Sequence, residues 1–444
     1  MEISHYSNSF ISVKVNKTVI LCDPWVGVTN DSSWLSFPAY KDGAKIVNDL
    51  KPNFIYISHL HCDHFDPNLL SKCNKNTTII IKKFKDQRLK KSITKLGFKK
   101  INEYLPLTLI KLNADISISI VPQMSSNTAN EINDINYDLD TSIIIKSNRS
   151  NKVFLNNVDN PLSIKDYKFI NNFVKKKFRS KIHISCMQVG AASEYPQCFL
   201  DINRKKEKHR IIEKVISDVK KKLEIIKPDL FFPAGGAYLI YGKYSELNEY
   251  VALPSFKAVK EKLKIKNCKI IDIEGKEKLI LDKEKIKFKK LNLYKVNEST
   301  SSVVKKFSKF KYEYQKITKK NSIKDLDEIF NLSLNNYIKR IDKTRIKSSW
   351  TIKFYLYNNL TLNKKKKIDH KKSKLLKKYE LNYNKSIKKN YSILHCYLDM
   401  GLFYKMLNRI HPWNPVLSGS LILFKRSPAQ FNPDVPFSLN YLGK

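Results

Sequence analysis

Phe54-Ile55-Tyr56-Ile57-Ser58 runs directly into His59-Leu60-His61-Cys62-Asp63-His64, and Phe65-Asp66-Pro67 follows. The first four residues are β-branched or aromatic, and the run reads as a buried strand that ends at Ser58. A loop at a strand's end can turn several side chains toward one point. Histidines two apart in an extended loop project to the same side, which gives His59 and His61 a shared metal. Asp63 and His64 lie far enough along to turn back toward a second metal about 3.5–4 Å away. Imidazoles and carboxylates suit Zn²⁺, Fe²⁺ or Mn²⁺. A bound metal lowers the pKa of its water to about 7, and Asp63 alternatively takes or orients that water's proton. Three of the chain's nine histidines fall within six residues, so the bland reading, a chance set of satisfied core histidines, carries little weight. Ser58 and Asp66 are placed to hold imidazole rings by hydrogen bonds. Cys62 is expected to be a buried neutral thiol rather than a ligand.

Working outward, the first 280 residues alternate short β-branched runs with helical patterns. Phe10–Val15 with 18–23, and 141–146 with 152–156, read as hairpins joined by Asn-containing turns. Between residues 204 and 227 the apolar Ile211, Ile212, Val215, Ile216, Val219, Leu223 and Ile226 recur at three- and four-residue steps with Lys opposite, and Pro228 ends the pattern. This organisation predicts an α/β fold, an αββα sandwich, over residues 1–285, followed by a smaller Lys-rich α+β domain over 286–444. IIDIEGKEKLILD (270–282) reads as the last hairpin of the first unit, and KKLNLYKVNESTSSVVKKF (289–307) as a polar connector. Beyond it the pattern predicts a hairpin at 349–363, a mobile surface loop or solvated helix over 364–390, and a buried helix over 391–410. The tail contains a strand and several turns.

With 42% apolar residues, 23 Tyr and 23 Phe, the chain has enough to bury a core. It has neither a run of about 18 apolar residues nor a signal-peptide pattern, so no transmembrane helix is expected. Seven unclustered cysteines argue for free thiols in a reducing compartment, hence a cytoplasmic location. The formal charge of +42 invites a nucleic-acid reading. However, 74 of the 83 basic residues are Lys, whereas base-edge readout favours Arg, so nucleic acid is disfavoured as a partner. The bland reading is a solvated Lys-rich surface, with an anionic small-molecule, glycan or lipid substrate as the functional one.

At the histidine cluster the sequence resembles the metallo-β-lactamase superfamily. CDPWVG (22–27) is similar to that family's early strand-end turn. DLDTSIIIKSNRSNKVFLNNVDNP (138–161) is similar to the hairpin whose second strand ends in a bridging aspartate, here Asp159; the bland reading of Asp159 is a turn residue before Asn160-Pro161. MQVGAASEYP (187–196) and KPDLFFPAGGAY (227–238) resemble CMP-N-acetylneuraminate hydroxylase-like proteins in particular. The likeness covers roughly residues 1–280. It implies His59 and His61 on one metal, Asp63 and His64 on another and Asp159 between them, with one or two Zn²⁺ ions or Fe²⁺ as cofactor. Two family histidines are missing. One is expected before the 141–156 hairpin, where Asn136 stands and Asp134, Asp138 or Asp140 can substitute; the other is expected after PAGG. The hydroxylase's Rieske module needs a Cys-x-His and a Cys-x-x-His pair, a combination this chain does not carry.

The resemblance implies a metal-dependent hydrolase acting through activated water on an N-acyl, nucleotide-sugar or phosphodiester substrate. The alternatives are an oxygenase served by a separate electron-transfer partner, and a non-catalytic binding protein with a degraded site. Gly190, Ser193, Gly235 and Gly236 are candidates for close approach to substrate, against tight turns or packing as the plain reading. His5, His183, His209, His395 and His411 read as peripheral, core or solvated.

Overall fold

The computed structural model describes residues 1–124, 140–282, 285–291, 302, 305–306, 308–316, 325–344, 346, 350–382, 392–430, 432 and 434–444. Two mixed sheets lie face to face. The first has eight strands, in the order Lys285–Lys290, Glu277–Asp282, Glu2–Ser7, Phe10–Val15, Thr18–Cys22, Phe54–Tyr56, Thr78–Lys82 and Ile101–Tyr104. The second has seven, including Leu230–Pro233, Ile184–Met187, Val153–Asn157, Thr141–Ser147 and Ile116–Pro122 as neighbours in that order. In each sheet one half pairs antiparallel and the other parallel.

Side chains alternate between the faces of a strand, and this sorts the β-branched residues into layers. Ile143 and Ile145 point into the space between the sheets, with Ile11, Val13, Ile20, Tyr56 and Phe154. Ile144 and Leu155 point outward against Tyr167, Ile170, Ile216, Val219 and Leu223 of helices Ile164–Phe173 and Arg204–Ile226. On the other sheet, Leu21, Ile55 and Ile79 face outward onto Val47, Leu70 and Ile93 of helices Gly43–Leu50, Pro67–Ser71 and Arg88–Lys95. The result is a four-layer αββα sandwich. The long helix starts where Asn203 accepts the Lys206 backbone N–H and ends at Lys227 in a left-handed conformation, both ordinary capping devices.

Both predicted hairpins form, as Phe10–Val15 with Thr18–Cys22 and Thr141–Ser147 with Val153–Asn157. Three other expectations are corrected. The stretch 270–282 is no hairpin: Lys269–Ile270 ends the second sheet, whereas Glu277–Asp282 joins the first and pairs with Lys285–Lys290. The region 349–363 contributes one strand, Thr351–Tyr357, whose antiparallel partner Leu375–Asn382 lies in the stretch expected to be a loop or solvated helix. That partner is an edge strand with most side chains in water, and its lysines suit an edge. The stretch 391–410 is a strand, Ile393–Asp399, followed by helix Met400–Leu407. Leu394, Cys396 and Leu398 alternate into the core, but Ile393 and Tyr397 on the other face are also hydrophobic, which hides the two-residue period. Most of the predicted connector lies outside the described residues.

Thr351–Tyr357, Leu375–Asn382, Ile393–Asp399 and Leu423–Ser427 form a four-stranded sheet. Its core is continuous with Trp25, Trp34, Tyr238 and Tyr244 from the sandwich half. Residues 198–200 add to its last strand, through Phe424 N–H to the Cys198 carbonyl at 2.8 Å and Leu200 N–H to the Phe424 carbonyl at 2.7 Å. Beside this seam Arg426 pairs with Asp201 at 2.9 Å, both side chains almost fully buried. Arg426→Leu leaves Asp201 buried without its counter-ion, and a loss of about 3–5 kcal/mol in unfolding free energy is expected, read from denaturant midpoints.

His5 is buried, donates from Nε2 to the Asn8 carbonyl at 2.8 Å, and lies 3.7 Å from Glu274. Burial pushes its pKa down to about 4, against the opposing pull of the Asn8 carbonyl and Asp272. The unfolded chain takes up this proton below about pH 6.5, whereas the folded one resists until about 4. The associated stability is therefore full above pH 6.5 and falls as the pH drops toward 4. His5→Gln is expected to flatten this part of the acid limb when unfolding is compared at pH 7.5 and 4.5.

Candidate metal centre

Asp23, Ser58, Asp159 and Gly235 all follow parallel-paired strands, so they meet at one rim of the sandwich, the carboxyl-end position where α/β folds assemble sites. Asp23 is fully buried with φ at 43°. Its Oδ1 accepts the Ser58 backbone N–H and its Oδ2 accepts the Ser58 hydroxyl, both at 2.7 Å. Oδ2 also accepts from His64 Nδ1 at 2.9 Å. Ser58 Oγ meets His59 Nδ1 at 2.8 Å, and the side-chain amide of Asn414 meets His61 Nε2 at 2.9 Å. Each imidazole is thus held from outside through one nitrogen and turns the other inward, the arrangement of a metal-ligating histidine.

The inward atoms converge. His59 Nε2 lies 2.7 Å from His61 Nδ1 and 3.1 Å from Asp140 Oδ1. His64 Nε2 lies 3.0 Å from Asp159 Oδ2 and 3.6 Å from Asp63 Oδ2. Two donor groups that could hold a metal ion result, His59–His61–Asp140 and His59–His64–Asp159. They share His59. The donor set fits a divalent cation on two observations: two imidazole nitrogens face each other within hydrogen-bond distance, and Asp159 Oδ1 is buried with no hydrogen-bond partner. The electrostatics agree. Burial and the neighbouring His64 and His61 hold the His59 pKa well below the ordinary range. Burial also opposes a charge on His64, but Asp159, Asp63 and Asp23 outweigh it and raise that pKa well above normal. These carboxylates call for positive charge at their centre.

Of the residues predicted from sequence, His59, His61, Asp63, His64 and Asp159 come together, and Asp140, one of the acidic alternatives, stands beside the first pair. Asn136, Asp134 and Asp138 lie outside the described residues. Asp66 instead accepts the Leu69 backbone N–H as a helix cap. Cys62 is a half-buried thiol on the cavity lining rather than a fully buried one, its pKa is pushed up to about 12, mainly by desolvation, and it donates to Asn30 Oδ1 at 2.6 Å. Cys62 and His64 have the Cys-x-His spacing, but no Cys-x-x-His exists in the sequence. Ser193 lines the cavity above the cluster. Gly190 packs against Ala252 and Leu253 instead, where an added Cβ would meet a side-chain carbon at 2.6 Å. Gly236 packs against Gln188, and Gly235 against Asp159. Sequence reasoning missed Asn8 and Asn414. Asn8 donates to Asp63 Oδ2 at 3.4 Å and accepts the Ala237 N–H at 3.1 Å. Asn414 begins as an unremarkable residue of the tail, and only the packing of helix Trp413–Ser418 over the rim brings it to His61.

The cavity has a volume of about 390 Å³. Its lining includes His61, Asp63 and Asp159 of the cluster together with Asn414, Phe437 and Asn440 from the C-terminal part.

No family model matches the chain. A protein of Mycobacterium tuberculosis, provisionally named a Rieske 2Fe-2S iron-sulfur protein, is 30% identical over 125 residues, 27% of this chain and 24% of that one. Its namesake in Mycolicibacterium smegmatis is 32% identical over 101 residues, 22% and 19% of the two chains. The chain thus spans about a quarter or less of the length of these curated relatives. Among solved structures, CmlA, a diiron β-hydroxylase from Streptomyces venezuelae, is similar with a TM-score of 0.42 and 12% identity, over 65% of this chain and 54% of its own. An isothiocyanate hydrolase from Delia radicum gut bacteria gives 0.44 and 14%, over 63% and 99%. The metallo-β-lactamase-fold protein YhfI of Bacillus subtilis gives 0.31 and 10%, over 52% and 85%.

Gly235 has φ at +89°, and a Cβ there would stand 2.9 Å from Asp159 Oδ1 and 3.0 Å from the Val158 carbonyl. Gly235→Ala is therefore expected to cost about 1–3 kcal/mol of stability and to displace Asp159, read as weaker zinc binding in a chelator competition.

Proposed function

We propose that the protein is a metal-dependent hydrolase whose centre is held by His59, His61 and Asp140 on one side and Asp63 and His64 on the other, with Asp159 between. The observation that carries this reading is the convergence of three imidazoles and three carboxylates at one strand-end rim, each ring held from outside. Zinc or iron, if bound there, would supply a Lewis acid and lower the pKa of water toward neutral pH. Around it the chain's own residues divide the work. Asp23 and Ser58 fix His64 and His59, so that the inward nitrogens need no reorganisation. Asn414 steadies His61 through its side-chain amide. Asp63, on the cavity lining and oriented by Asn8, is placed to take or direct the proton of attacking water. A cavity of about 390 Å³ suits a small-molecule substrate, and N-acyl, nucleotide-sugar and phosphodiester compounds are the classes to screen.

A second reading, an oxygenase served by a separate electron carrier, draws on the Rieske name of the partial relatives. The source of oxygen separates the two: hydrolysis places ¹⁸O from labelled water in the product and proceeds without O₂, whereas oxygenation takes it from O₂.

Metal analysis of the purified protein is expected to find zinc, iron or manganese. His61→Ala and Asp140→Ala should each lower metal affinity by at least tenfold. EDTA should abolish turnover, and the metal should restore it. Protein that binds none of these metals, or variants that bind them as well as the parent, would contradict the reading.

A further inference from the structure

The cavity over the cluster differs in charge from the rest of the chain. The protein carries 74 Lys and a formal charge of +42, yet among the described residues that line this cavity there is no Lys or Arg. Three carboxylates do line it: Asp63, Asp159 and Glu194. The first two belong to the cluster, where a cation answers their charge. Glu194 does not.

Glu194 sits at the start of the turn after Ile184–Met187, between the large cavity and a small adjoining one that Arg426 also lines. Arg426 is committed elsewhere, to Asp201 at 2.9 Å, and its guanidinium lies over the Phe199 ring at 4.7 Å. Among the described residues Glu194 forms no ion pair. Burial raises its proton affinity, opposed only by its own backbone N–H, and a cation beside it would reverse that cost. The rest of the wall is aromatic or neutral. Trp34, stacked on Tyr238 at 3.8 Å between centroids, lines the cavity with Tyr195 and Phe437, and the polar groups among them are amides and hydroxyls. A phosphate or carboxylate on the substrate, away from the metals, would find no counter-charge in this lining. Trp34 is buried and the Tyr195 ring already carries the Arg426 guanidinium at 5.4 Å, so an ammonium would find the Glu194 carboxylate together with the half-buried Phe437 ring, a combination suited to alkylammonium binding.

We infer that the substrate carries a cationic nitrogen beyond the bond that reacts, and that Glu194, with the Phe437 ring of the same cavity, is its recognition subsite. The inference rests on the cavity over the cluster being the substrate site, as the hydrolase reading holds. It narrows that reading toward N-acyl amines and away from nucleotide-sugars and phosphodiesters.

The test uses binding, so it does not depend on turnover. Choline and its uncharged carbon isostere, 3,3-dimethylbutan-1-ol, are titrated into full-length zinc-loaded protein by calorimetry at 0.15 M salt, where the long-range field of the lysine-rich surface is largely screened. Choline is expected to bind at least tenfold more tightly than the isostere. Glu194→Gln should reduce that preference about tenfold while leaving zinc content unchanged. Phe437→Leu, a separate perturbation of the same wall, should weaken choline several-fold more than the isostere. A choline preference below threefold in the parent protein, or one that survives both substitutions, overturns the inference. A protein that shows the preference yet hydrolyses no N-acyl amine would leave the subsite standing and count against the hydrolase reading alone.

Discussion

The Asp23 carboxylate receives three donors, the Ser58 N–H, the Ser58 hydroxyl and His64 Nδ1, from a position with no access to water. A buried carboxylate is costly unless its lone pairs are filled, and here the groups that fill them are those that set the geometry of the site. Ser58 passes the constraint to His59, and His64 passes it to Asp159. The strands Thr18–Cys22 and Phe54–Tyr56 are parallel neighbours, which brings Asp23 and Ser58 side by side at their carboxyl ends. One hydrogen-bonded carboxylate therefore ties sheet register to the aim of two imidazoles. Remove it and the histidines keep their sequence spacing but lose their common focus.

The sandwich was largely legible in the sequence because its strands obey a two-residue period. Ile143, Ile144 and Ile145 each belong to a definite layer, and the long helix keeps its apolar stripe from Ile212 to Ile226. Legibility failed where the period was masked. In Ile393–Asp399 both faces are apolar or aromatic, so the strand resembles a buried helix. In Leu375–Asn382 the lysines of an edge strand resemble a solvated segment. The stretch 270–282 misled for another reason: a Gly-containing turn signals a reversal, but not which sheet receives the second strand.

The site divides along similar lines. The histidine loop and Asp159 could be found from spacing and resemblance, since their chemistry is concentrated in a few adjacent positions. Asp140 could be narrowed to a small group of acidic residues and no further, because several stand in one polar stretch. Asn8, Asn414 and Glu194 carry no local signal. Each is an ordinary polar residue in its own segment, and it acquires a role only when distant parts of the fold close on one another. Such residues become visible through cavities and unsatisfied atoms rather than through motifs.

The contact between Asn414 and His61 joins positions separated by 353 residues, and the strand of residues 198–200 is completed by Phe424. During synthesis, then, the histidine loop leaves the ribosome long before its outer support exists. Completion of the centre is thus tied to the arrival of helix Trp413–Ser418 and strand Leu423–Ser427, close to the end of the chain.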